Sequence, residues 1–188
     1  MEKLTKLFEA QDDAIKLLNF PITRQATEWS CGAAVVQTSL EYYGMDNKEM
    51  DLVKFLGANE EKGTKVERMI KLLNMNGLQT DVRDNMNIND IIYYIDKDIP
   101  VIIVMQAWGN TDDYSEEWNH GHYATAIGYS RNKILFSDPS MFNIGYLGYG
   151  ELMKRWHDRD DDKKYTRLGI AVYGKTAKFD VNKFVHIG

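Results

Sequence analysis

An α+β domain is predicted, on three observations. The first half of the chain carries apolar residues at helical spacing. The second half carries short apolar runs of strand length. Glycine or proline stops most of these segments. Helices first and strands afterwards favour helices gathered on a mostly antiparallel sheet.

The elements follow in order. Leu4, Leu7, Phe8, Ile15 and Leu18 keep helical spacing and predict an amphipathic helix that Pro21 ends. Ser30 is placed to cap a second helix running to Tyr43, with Gly44 as its stop. Its apolar positions Ala33, Val36, Leu40 and Tyr43 predict one buried face. A third helix spans Asn47 to Leu56 and closes at Gly57. Thr64 and Glu67 have capping-box spacing ahead of Val66, Met69, Ile70 and Leu73. Ile88 to Ile95 is a shorter helix.

From Val101 to Met105 the run is continuously apolar, as in a buried strand. His122–Tyr129 and Lys133–Ser137 predict two strands joined by the tight polar turn Ser130-Arg131-Asn132. Tyr146 begins or ends another strand, Glu151 to Trp156 forms a short helix, and Leu168 to Tyr173 a last strand. The polar, aromatic-rich stretch between Ala107 and His122 is long for a connection, as binding loops and solvated insertions both are. Residues 175–188 are a tail or an extra strand.

The chain has 188 residues, 44% of them hydrophobic, and suits a single domain over 1–188 with its own core. The net charge of −5, with Lys and Arg scattered, argues against a nucleic-acid partner or an anionic membrane surface. The longest apolar run falls far short of the roughly 20 residues a membrane helix needs. The N-terminus lacks the apolar core of a secretory signal, and the single cysteine forms no internal disulfide, so a reducing cytoplasm is the expected location.

That cysteine draws the chemistry. A thiol attacks as thiolate, and a helix N-terminus favours negative charge by about 1 kcal/mol. Cys31 follows the expected cap Ser30, and Gly32 keeps the approach to its sulfur open. A free cysteine is equally at home as a small buried hydrophobe. Gln25, six residues earlier, can donate to an oxyanion together with the Cys31 N–H. His122 opens one strand of the hairpin and Asp138 ends the next, sixteen residues on, so the carboxylate can hold the imidazole. Trp29, Gly32, Trp108 and Gly121 are candidates for lining a substrate cleft. Trp156 is expected in the core, and the acidic run Asp158–Asp162 as a solvated loop.

The segments QATEWSCGAA and GHYATAIGYSRNKILFSDPS resemble the cysteine and histidine/aspartate blocks of papain-like peptidases related to the bacteriocin-leader-processing peptidases. KGTKVERMI, IPVIIVMQAW and YGELMKRWHD resemble further family segments, the last from a stand-alone bacterial branch. The likeness spans about residues 20–173. It implies a papain-like fold and a cysteine peptidase, with Cys31 as nucleophile, His122 as base and acid, Asp138 as its orienter and Gln25 in the oxyanion hole. It implies a peptide or small amide substrate, and neither cofactor nor metal. The tethered members process double-glycine leaders beside a transporter; this sequence carries no transporter segment or ATP-binding motif. Papain-like folds also host acyl transfer and transpeptidation, and the same fold serves as a peptide-binding module. A metal hydrolase using His120 and His122 with Asp138 or His157 is the remaining alternative.

Overall fold

The computed structural model describes residues 14–109, 113–160, 163–184, 186 and 187. At its centre is helix α1, Cys31–Tyr42. The sequence predicts one buried face, but α1 is buried on almost every side, because strand β4, Gly121–Ser130, and helices α2, Glu49–Leu56, and α3, Val66–Met75, all pack against it. Its polar residues survive burial by bonding backward: the Thr38 and Ser39 hydroxyls donate to the carbonyls of Ala34 and Val35. Gly57 closes α2 at φ 62°, a left-handed conformation that glycine adopts without strain. Helix α4, Ile88–Asp96, starts from a capping box of Asn87 and Asp90.

Among the described residues one sheet runs in the order β2–β9–β3–β4–β5–β6, with every pairing antiparallel. These strands are Gln79–Arg83, Gly169–Tyr173, Val101–Gln106, β4, Lys133–Ser137 and Gly145–Gly148. All six residues of β3 are buried, as the unbroken apolar run predicts. Helix α5, Tyr149–Arg155, follows β6, and the Trp156 indole N–H donates to the Leu168 carbonyl from inside the core.

Several expectations are corrected. Residues 14–17 form strand β1, paired with the end of β4, so Ile15 belongs to a strand and Leu18 follows it; Leu4, Leu7 and Phe8 lie outside the described residues. Thr64 caps nothing. Helix α3 begins two residues later, while the Thr64 side chain packs against Gly32 and Glu67 turns to Lys163 at 2.8 Å. The acidic run is not simply a solvated loop: His157–Asp160 is strand β7, paired with β8, Lys163–Thr166, and residues 161 and 162 lie outside the description. The tail makes no further strand among its described residues; Lys178 and Phe179 donate backbone bonds to the Tyr42 carbonyl.

Gly32 is fixed by close packing. A Cβ there would lie 2.5 Å from the Thr64 Cβ, a buried branch point with little room to yield. Gly32→Ala is expected to cost about 1–3 kcal/mol, read as a lowered Tm. An unchanged melting curve would contradict this packing.

Candidate active site

Cys31 is the first residue of α1 and is 8% exposed. Ser30 precedes it but does not cap the helix: its hydroxyl accepts from the Thr27 N–H and donates to the Thr27 carbonyl, closing the loop ahead of the helix. With no side chain spent as a cap, the partial positive charge of the first turn faces the sulfur.

The imidazole comes from the sheet. His122, second in β4, pairs with Met105 of β3. Asp138 directly follows β5, which pairs with β4 through Thr125 and Ser137. This hairpin brings His122 Nε2 to 2.8 Å from Asp138 Oδ1, where it donates. The same oxygen accepts from the Ser140 N–H and hydroxyl, both at 2.8 Å. The other ring nitrogen, Nδ1, has no hydrogen-bond partner among the described residues. Burial alone would lower the imidazole pKa, but the Asp138 bond and the neighbouring Cys31 outweigh it and raise the value to about 9. Burial pushes Asp138 upward, and the His122 and Ser140 bonds more than offset this, so its carboxyl titrates below the ordinary range. The Trp108 ring lies over the imidazole at 4.7 Å between centroids.

Gln25 sits in the loop before α1. Its backbone N–H donates to the Pro139 carbonyl, next to Asp138, and its Nε2 donates to the Thr27 carbonyl at 2.7 Å. The following amide, Ala26 N–H, is held by both oxygens of the buried Glu49. Gln25 lines a depression together with Thr27, Trp108 and Ser140. Cys31, Trp29, Trp108 and Gly121 line an adjoining cleft of about 590 Å³. Gly32 does not line it and serves the Thr64 contact instead.

This arrangement of thiol, imidazole and carboxylate sits within a longer match: the model of the Peptidase C39 like family fits residues 17–159. The chain belongs to the Peptidase C39 like family. It is accordingly classed as a cysteine peptidase, in a family that takes peptide substrates. Three solved structures share the fold of this C39-like chain. The peptidase domain of Streptococcus ComA, a bifunctional ABC transporter of a quorum-sensing pathway, is 18% identical, with 82% of this chain and 98% of that chain covered and a TM-score of 0.60. A double-glycine-motif protease from an AMS/PCAT transporter, in complex with a leader peptide, is 17% identical over 86% and 96%, with a TM-score of 0.58. A C39-like peptidase from Bacillus anthracis is 15% identical over 87% and 98%, with a TM-score of 0.64. No curated protein matches the chain.

Residues that sequence reasoning did not single out brace the loop beside this candidate site. Gln106, fully buried, accepts from the His120 N–H and donates to Asp158 Oδ1 and to the His157 carbonyl. Arg155 donates to the carbonyls of Gln106 and Ala107 and stacks over Tyr114 at 3.5 Å. These contacts anchor both ends of the loop that carries Trp108. A buried glutamine in an apolar run, IIVMQ, was the available signal. Among the described residues no group of three His, Cys, Asp or Glu is arranged to hold a metal ion, and His122 Nε2 is engaged by Asp138. No described helix is long and apolar enough to cross a membrane.

Proposed function

We propose that this C39-like domain hydrolyses peptide bonds through Cys31, His122 and Asp138. The observation that carries the reading is the two-sided imidazole: Nε2 is held by Asp138, while Nδ1 has no partner among the described residues and Cys31 raises the ring's pKa. Cys31 gives its proton to His122 Nδ1, and the thiolate attacks the substrate carbonyl carbon. The Cys31 N–H and the second Nε2 hydrogen of Gln25 receive the oxyanion, each typically contributing about 3 kcal/mol. The C–N bond breaks as His122 returns the proton to the leaving amine, and a thioester remains. Water then attacks the thioester, its proton passing to His122, and the acid product leaves as the sulfur regains a proton. Trp108 shields the imidazole, and Trp29 and Gly121 flank the bound chain. A thiol that must stay reduced suits a cytoplasmic setting.

The test is the rate of Cys31 alkylation by iodoacetamide against pH, in the wild type and in His122→Ala. The wild type should still react quickly at pH 6, and the variant should be slower there by about tenfold or more, because the imidazolium that stabilises the thiolate is gone. Equal slow rates in both proteins would overturn the reading.

A further inference from the structure

The cleft beside Cys31 is unevenly charged. Glu28, Glu60, Glu61, Asp158 and Asp160 line it, against two cations, Lys62 and Arg159. Arg159 is turned to the Asn119 side-chain oxygen at 2.9 Å, and Asp160 lies 3.9 Å from Lys65. Asp158 forms part of the cleft wall beside Gly121. Its carboxylate crowds Gly121 so closely that a Cβ there would sit 2.3 Å from Oδ2, and the Gln106 amide holds Oδ1.

The lining adds a second feature. The cleft also presents the rings of Trp29, Trp108, Trp118 and Tyr123. One of them already carries an ammonium group, with Lys164 Nζ at 4.7 Å from the Trp118 centroid.

From this we infer that the cleft beside Cys31 selects peptides with a lysine or arginine close to the bond that is cut: the carboxylates attract the cation and the indoles cover its stem. The inference rests on the peptidase reading of Cys31 and gives it a substrate class.

The test compares aminoethyl methanethiosulfonate, a cation, with sulfonatoethyl methanethiosulfonate, an anion, as reagents for Cys31. Each rate is divided by that for free cysteine. The cation should be favoured by about tenfold or more at low salt, and the preference should shrink as salt screens it. Glu60→Gln/Glu61→Gln, two exposed positions, should cut the preference severalfold. Asp84→Asn/Asp180→Asn, which removes the same charge elsewhere, should leave it. Digestion of a proteome-derived peptide mixture should then enrich Lys and Arg within three residues of the cleaved bonds. A charge-blind Cys31 that still reacts with iodoacetamide, or cleaved sites without basic residues, would overturn the subsite and leave the peptidase reading standing. A Cys31 inert to all reagents would overturn both.

Discussion

Cys31→Ala is expected to lower kcat/KM for peptide cleavage by about 10⁴-fold or more, because the step that splits one difficult hydrolysis into two is lost with the sulfur. The fold should survive. The side chain is 8% exposed at the first turn of α1, and the change removes one sulfur atom, so the stability cost should be about 1 kcal/mol or less. Chromatographic assay of cleaved peptide, with a melting curve on the same sample, separates the two effects. A folded Cys31→Ala protein that still cuts would exclude this cysteine as nucleophile. The wild type carries a pH signature too. The leaving amine needs the proton on His122, whose pKa is raised to about 9, so kcat/KM should fall as pH climbs through that value.

The parts of the site readable in the sequence are those with a local signal. The run GAAVVQTSL after Ser-Cys marks a helix start and puts Cys31 at its first turn. The two strands around Ser130-Arg131-Asn132 form a hairpin, and hairpin geometry brings His122 to Asp138 from sequence alone. Strands β1, β2, β7 and β8 are different. QTDVR and HDRD hold few apolar residues, and they become strands because an edge of β9 or a neighbouring strand accepts their backbone. Asp158 departs from the expected solvated loop for the same reason. Its neighbours in sequence are charged, but Gln106, fifty-two residues away, draws it into the cleft wall. Thr64 shows the converse error: a correct capping spacing is overridden because the Thr64 backbone carbonyl accepts from the Tyr123 hydroxyl and its side chain fills the space that Gly32 leaves. Pairings across such distances are decided by packing, which no local window contains.

Asp138→Ala and Asp138→Asn should part company, and their difference isolates what the carboxylate does. Alanine removes the acceptor on Nε2, leaves a buried imidazole free to rotate, and strips the Ser140 N–H and hydroxyl of their partner. A loss of about 10²–10⁴ in kcat is expected. Asparagine keeps an oxygen that can accept from Nε2, so orientation is retained and only the charge goes. Its loss should be smaller, but the alkaline limb should move down from about 9 toward the ordinary histidine value of 6.5, because the charge that helped hold the proton is gone. Stability should follow with a defined sign. His122 is raised in the folded protein, so its contribution is complete below about pH 6.5 and is lost as pH rises through about 9. Asp138 is lowered, so its contribution is complete above its ordinary value of 3.8 and is lost as pH falls through its folded value. The Tm gap between the wild type and Asp138→Asn should therefore be widest from about pH 4 to 6.5 and narrow as pH rises through about 9, leaving the part that the Ser140 bonds supply. A gap that is flat across this range, or an alkaline limb that stays in place in Asp138→Asn, would mean that the carboxylate orients His122 without holding its charge.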